Sequence, residues 1–358
     1  MNIGGLENIL SPDFQMLLLA IAMAFTFSLA IVSIALPGLI RKMREGGMEG
    51  RDVNKNGNVR VPELGGIAAL FAFSISLSII VGIQKLIGDL DELPYLALIS
   101  VFFIAAMVGL IDDISNISQR LKAVAVGFAA LPLLLIAGWV QTHIGDSMRL
   151  PFGHLIAFPS GSWTYFLYWL LLVPLGVTGV ANGMNMSAGY NGLESGQIAI
   201  VSSSILAVLV LRDGQDPSAM IAAAALVGAA LGLYAYNRYP ARVFVGDIGT
   251  LGMGAALAGT IIVGHIELIG LVAIAPAFYE AGATAYYSLV KKVPDRRHAC
   301  HNPVIGPDGI LKPPRGAERY TLAYYLLSKR SMTEKQLVRF LLMLYALSGA
   351  AAVVLSVL

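Results

Sequence analysis

Long apolar runs recur along this chain, at lengths that match helices crossing a hydrocarbon core of about 30 Å. They predict spans at Phe14–Ile40, Leu64–Ile83, Tyr95–Ile111, Leu121–Val140, Trp163–Ala181, Leu193–Leu211, Ser218–Tyr236, Ile248–His265, Leu268–Val290 and Lys335–Leu358, ten in all. Leu193–Leu211 is short for that thickness and is expected to sit partly sunk among its neighbours. The strongly polar clusters fall at the ends of runs: Asp112-Asp113 after the third, Asn182 to Asn191 after the fifth, Asp247 before the eighth, and Arg296 to His301 after the ninth. Charges at the ends of membrane segments are cheap only where they meet water or one another, so several converging on one side predict a site.

Composition agrees with the pattern. With 57% hydrophobic residues, 13% charged residues and a mean hydropathy of +0.74, the 358-residue chain is excluded from the soluble globular class. Alternation of the spans divides the connections into two sets before any charge is counted, and the positive-inside rule then orients them. One set carries 20 of the 24 Lys and Arg residues, the other carries Lys85, Arg149 and Arg212, and Arg339 lies in the last span. Both termini are therefore expected outside and the basic loops in the cytoplasm. The first thirteen residues hold Glu7 and Asp13 but no Lys or Arg, which disfavours a cleaved signal peptide and predicts a retained first helix.

The predicted fold is thus an all-α polytopic membrane protein, a single integral-membrane catalytic domain over residues 1–358 with ten transmembrane helices. Asp308-Gly309 between apolar pairs predicts a small β-hairpin in the last cytoplasmic loop, which also carries an amphipathic segment. Ser331-Met332-Thr333-Glu334 has capping-box form and is expected to open the last helix. Cys300 is the single cysteine, so no intrachain disulfide forms. Most of the basic residues set topology and meet anionic lipid headgroups, and a few are available for phosphate. Membrane lipid is an expected partner, nucleic acid is not, and a homodimer is left open.

All the notable clusters fall on the predicted cytoplasmic face, whereas Asp89, Asp91, Glu92, His143, Asp146 and His154 on the other side read as a solvated surface. Adjacent helical residues point about 100° apart, so one of Asp112 and Asp113 can face a metal or substrate while the other faces a cation or water; a solvated helix end is the bland alternative. Lys122 can point back into the same mouth. The stretch Asn182–Gln197 is rich in amides and glycines, suited to close backbone approach and a nucleobase edge, or simply to a long turn. Asp247 opens a helix and reads equally as a cap or as an oxygen ligand. With Asp112, Asp113 and Asn185 it makes a set suited to Mg²⁺, with Mn²⁺ an alternative. Arg296, Arg297, His298 and His301 suit a diphosphate; His298, Cys300 and His301 offer zinc too few ligands.

These motifs, in this order, resemble the polyprenyl-phosphate N-acetylhexosamine-1-phosphate transferases. Asp52-Val53-Asn54-Lys55, Val61-Pro62-Glu63, Asn191-Gly192-Leu193-Glu194-Ser195-Gly196-Gln197 and Tyr239-Pro240-Ala241-Arg242-Val243-Phe244-Val245-Gly246-Asp247 look most like the eukaryotic and archaeal dolichyl-phosphate N-acetylglucosamine-phosphotransferases. The resemblance implies ten helices with outside termini. It also implies transfer of GlcNAc-1-phosphate from UDP-GlcNAc to a polyprenyl or dolichyl phosphate with release of UMP. By motif position, Asp247 and Asn185 would hold Mg²⁺, Asn191 and Gly189 would contact uracil, and Lys122 and Arg297 would contact phosphates. Asp112 and Asp113 would serve catalysis, and Glu63, Asn182, Arg296, His298 and His301 would belong to the substrate site. Relatives of the eukaryotic type carry Arg-His-Arg where this chain has Arg297-His298-Ala299, so a second cation there must come from Arg296 or His301. The implied setting is the plasma membrane of a prokaryote or the endoplasmic reticulum of a eukaryote, with the site on the cytoplasmic face. The alternatives are the same chemistry with a phospho-MurNAc-pentapeptide or GalNAc-1-phosphate donor, and an ion-coupled transporter. A carrier would place its carboxylates near the midplane, often in paired repeats, which this chain does not show.

Overall fold

The computed structural model describes residues 12–88, 91–115, 117–138, 147–149, 155–212, 217–293 and 302–358. Helix α1 (Pro12–Glu45) leads into a two-stranded hairpin, β1 (Glu49–Arg51) with β2 (Arg60–Pro62), and then α2 (Gly66–Ile87) and α3 (Leu93–Ser115). Next come α4 (Gln119–Gly127), a 3₁₀ turn at Phe128–Ala130 and α5 (Leu131–Leu135). A second hairpin, β3 (Ser147–Arg149) with β4 (Leu155–Ala157), precedes α6 (Trp163–Leu167), a π-type stretch at Tyr168–Leu172 and α7 (Val173–Met186). The chain continues through α8 (Leu193–Leu211), α9 (Pro217–Asn237), α10 (Gly246–Val263), α11 (Glu267–Ala273) and α12 (Ala275–Ala285). Strands β5 (Val304–Ile305), β6 (Ile310–Lys312) and β7 (Met332–Thr333) make a three-stranded antiparallel sheet, with α13 (Leu322–Lys329) between β6 and β7 and α14 (Glu334–Val357) after it.

Eight helices among the described residues are long and apolar enough to cross a membrane, and the bent pair α11 and α12 makes nine if counted as one span. The count differs from ten for a physical reason. Proline cannot donate a backbone hydrogen bond, so Pro132 breaks the predicted fourth span into α4, a 3₁₀ turn and α5, each short. Pro276 does the same, as the second residue of α12, just after the point where the predicted ninth span bends by 82°.

Two helices form the axis of the bundle. Helix α9 packs against α1 and α8, and α10 against α3 and α7, with every residue from Ile248 to Val263 buried. The least apolar of the eight, α10, is the most enclosed, and the most apolar, α1, is among the least. Large apolar side chains such as Ile34, Leu86 and Leu135 face outward instead, as expected of a surface meeting lipid. Small residues allow the inner contacts. At Gly109 an added Cβ would lie 2.3 Å from the backbone oxygen of Asp247, so only glycine lets the end of α3 lie against the start of α10. That one approach positions the site.

Candidate active site

Asp112 and Asp113 end α3 and diverge as adjacent helical residues must. Asp112, 5% exposed, turns toward α4, whose Lys122 is 4% exposed and donates to Asp112 Oδ2 at 2.8 Å. The same ammonium donates to Asp247 Oδ2 at 2.6 Å, so one cation bridges two carboxylates from different helices. Such burial is tolerated because the charges are paired and hydrogen-bonded.

Asp113 points elsewhere. Its Oδ1 accepts the backbone N–H of Asp247 at 2.9 Å and its Oδ2 that of Ile248 at 3.0 Å. Those are among the first-turn donors of α10, which have no partner within their own helix. A carboxylate from α3 thus caps α10 in trans and complements its dipole. The cap role that the sequence allowed for Asp247 is taken by Asp113, and the Asp247 side chain is released to face inward. Its Oδ1 accepts from Asn185 Nδ2 at 2.7 Å, and Asn185 Nδ2 also reaches Thr250 Oγ1 at 2.7 Å. Asp112, Asp113, Lys122, Asn185 and Asp247 therefore form one contiguous group drawn from α3, α4, α7 and α10.

Beside this group opens a cavity of about 230 Å³. Asp113, Asp247 and Thr250 form one wall; Gly189, Tyr190, Asn191 and Glu194 form another; Asp52, Asn54 and Glu63 close it from the segment around the first hairpin. Gly189 has φ 109°, a conformation natural to glycine, and its N–H is held by Glu194 Oε1 at 3.1 Å. Glu63 is held above the ordinary carboxylate range first by burial and then by the charge of Asp247.

The other predicted residues are placed as follows. Asn191 is 4% exposed, and its amide is engaged by protein: Nδ2 donates to Asp52 Oδ2 at 3.0 Å and to Glu334 Oε1 at 2.7 Å, and Oδ1 accepts from Ala241 N at 2.7 Å. It lines the cavity with a side chain already oriented. Asn182 donates to Thr178 O at 2.9 Å within α7 and does not line the cavity. Arg296, Arg297, His298 and His301 lie outside the described residues. Glu334, Asn54 and Lys55 tie the cavity's two rims together and were not singled out from sequence as site residues. Glu334 reads there only as part of a helix start, and Asn54 and Lys55 only as part of a longer motif.

Among the described residues no three His, Cys, Asp or Glu side chains make a metal cage. Asp247, which lines the cavity, and Asn185, hydrogen-bonded to it, offer instead a sparse hard-oxygen pair. That chemistry fits Mg²⁺, which commonly takes one or two protein carboxylates and completes its shell with phosphate oxygens and water.

The sequence model of glycosyl transferase family 4 matches residues 95–265, the stretch that supplies the Asp112–Lys122–Asp247 group and Asn185. A Saccharolobus solfataricus protein provisionally named UDP-N-acetylglucosamine–dolichyl-phosphate N-acetylglucosaminephosphotransferase is 29% identical over 277 residues, 77% of each chain. A Sulfolobus acidocaldarius protein with the same provisional name is 28% identical over 251 residues, 70% of this chain and 73% of that one. The phospho-N-acetylmuramoyl-pentapeptide-transferase of Bacillus pumilus is 30% identical over 266 residues, 71% of this chain and 77% of the relative. The motifs, the buried acid–amide group and these similarities agree: this polytopic membrane chain belongs to glycosyl transferase family 4 and is an enzyme of sugar-phosphate transfer.

Proposed function

We propose that the enzyme transfers GlcNAc-1-phosphate from UDP-GlcNAc to a polyprenyl phosphate of the dolichyl type, releasing UMP and forming polyprenyl-diphospho-GlcNAc. The observation that carries the reading is Lys122 bridging Asp112 and Asp247, with Asn185 on the other oxygen of Asp247, at the edge of a polar cavity. The reaction joins two anions. An oxygen of the lipid phosphate attacks the β-phosphorus of the donor, and the bond from that phosphorus to the bridging oxygen breaks as UMP leaves.

A phosphate monoester has a second pKa near 6, so most of the acceptor is already dianionic at neutral pH. Asp112 and Asp113 then serve chiefly by orientation: Asp112 holds Lys122, and Asp113 holds the helix that presents Asp247. Lys122 offers positive charge where phosphates meet. Asp247 and Asn185 would hold Mg²⁺, which when bound neutralises charge developing toward the leaving phosphate. Gly189 and Asn191 form the uracil end of the cavity, and the 296–301 loop supplies cations for the diphosphate. The donor is soluble and the acceptor embedded, which suits a site at the cytoplasmic membrane edge; counting the broken α4–α5 segment and the bent α11–α12 pair as one crossing each gives ten, with both termini outside.

Purified protein incubated with polyprenyl phosphate, Mg²⁺ and each of UDP-GlcNAc, UDP-GalNAc and UDP-MurNAc-pentapeptide is expected to release UMP with UDP-GlcNAc preferred. EDTA and Asp247→Ala should each abolish release while the variant remains folded. A marked preference for another donor refutes the sugar assignment, and full activity of Asp247→Ala refutes the ligand assignment.

A further inference from the structure

One buried carboxylate outside the Asp112–Lys122–Asp247 group gathers donors from two separate loops. Glu334 is 3% exposed and is the first residue of α14. The helix does not need it as a cap. Thr333 Oγ1 accepts the N–H of Gln336, and the Gln336 side chain accepts the N–H of Thr333, so the capping box runs from Thr333 to Gln336 and not from Ser331 to Glu334.

Its partners lie on the cavity rims. Glu334 Oε1 accepts the backbone N–H of Asn191 at 2.8 Å and the Asn191 side-chain amide at 2.7 Å, with Asn54 Nδ2 at 3.4 Å. Glu334 Oε2 pairs with the Lys55 ammonium, which also lies 4.2 Å from the Tyr239 ring centroid. Asn54 Nδ2 donates in addition to Gly189 O at 2.6 Å, closing a ring of contacts between the 51–56 segment and the 189–191 turn. Behind Glu334, Met332 in β7 pairs with Leu311 in β6, so the same point is fastened to the hairpin of the last long connection.

Burying a carboxylate is expensive, and a structural contact alone is often served as well by apolar packing. What apolar packing cannot supply is direction. Shared between Asp52 and Glu334, the Asn191 Nδ2 can point only one way, which leaves Asn191 Oδ1 toward Ala241 and fixes the peptides of the turn. None of the Glu334 partners belongs to the Asp112–Lys122–Asp247 group.

We infer that Glu334 is a positioning residue for the donor nucleotide. It locks the 189–191 turn against the 51–56 segment, and so sets the shape of the base-binding end of the cavity. The inference rests on the uridine-nucleotide reading of that cavity. Its signature is a loss in donor binding and in base discrimination that exceeds any loss in turnover.

The test uses full-length protein in lipid nanodiscs, comparing wild type with Glu334→Asp, Glu334→Gln and Glu334→Ala. UMP and CMP affinities, KM and kcat for UDP-GlcNAc, and melting temperature are measured for each. Glu334→Ala should raise the UMP Kd and donor KM about tenfold, narrow the preference for UMP over CMP, and lower kcat less than about threefold. Glu334→Gln keeps one acceptor oxygen and should fall between Ala and wild type; if Ala does not fold, the same shift in Gln and Asp supports the inference. Unchanged nucleotide affinity and discrimination in the folded variants overturns it. So does a parallel fall of kcat and melting temperature without a change in KM. If wild type neither binds UMP nor turns over UDP-GlcNAc, the donor reading itself fails and this inference with it.

Discussion

Lys122 balances two negative charges, and removing it should expose how much they repel. With Asp112 and Lys122 almost fully buried, Lys122→Met leaves uncompensated buried carboxylates. Breaking such a pair from one side costs about 3–5 kcal/mol. The expected outcome is a marked fall in melting temperature together with loss of activity. Lys122→Met combined with Asp112→Asn should recover much of the stability and none of the activity, which thermal denaturation and UMP release read separately. Full activity in the single variant would remove Lys122 from the reaction. Glu63 makes a pH-dependent prediction. Its folded-state pKa is raised above the ordinary 4.5, so ionising it opposes folding: wild type is favoured most below that pH and loses the advantage as pH rises through the folded value. Glu63→Gln should therefore gain stability relative to wild type as pH rises above the ordinary carboxylate value, and a difference that stays constant with pH would contradict the assignment. At this scale the residues of the candidate group are legible in the sequence, and their contacts are not. Asp112, Lys122, Asn185 and Asp247 announce themselves as polar groups at the ends of apolar runs. Glu334 does not, because an acid at the head of a helix has an ordinary explanation until its neighbours are seen.

Helix ends carry the next set of consequences. The N-terminus of α10 is held by Asp113 from α3, so the position of Asp247 depends on a residue that need not touch substrate. Removing a helix cap costs about 1 kcal/mol, up to about 2 when buried. Asp113→Ala should lower stability by that amount and also lower kcat, because Asp247 loses its register with Asn185 and Lys122. Asp113→Asn, which keeps one acceptor, should show less of both. A variant that loses kcat with its melting temperature intact would instead indicate direct chemistry at Asp113. Periodicity and length locate eight of the spans well, since a long apolar run has few other outcomes. They do not reveal how a proline is accommodated: Pro132 and Pro276 sit inside runs that read as single helices, and each divides its run. A carboxylate capping a helix from a different part of the chain is likewise invisible to local pattern, because the pairing depends on the close approach at Gly109.

Across the whole molecule, charge asymmetry between the two sets of connections makes a topological prediction. An impermeant thiol reagent added outside intact cells should leave Cys300 unlabelled, and label it after permeabilisation; labelling from outside would invert the assignment of the site to the cytoplasm. The enclosure of α9 and α10 has a further meaning for how the protein is made. Helices that face lipid, such as α1 and α14, are apolar enough to partition on their own. The least apolar helix, α10, is surrounded by protein and draws little from contact with lipid. It needs its partners beside it as it leaves the translocation machinery, and so does its enclosed neighbour α9, whose seam with α1 depends on a small residue. At Gly228 an added Cβ would lie 2.3 Å from Phe25 O, so a larger side chain there would keep α9 off α1. The damage would register as fewer molecules reaching the membrane intact, with ordinary kinetics in the survivors, so that a lesion far from the chemistry would masquerade as a loss of enzyme.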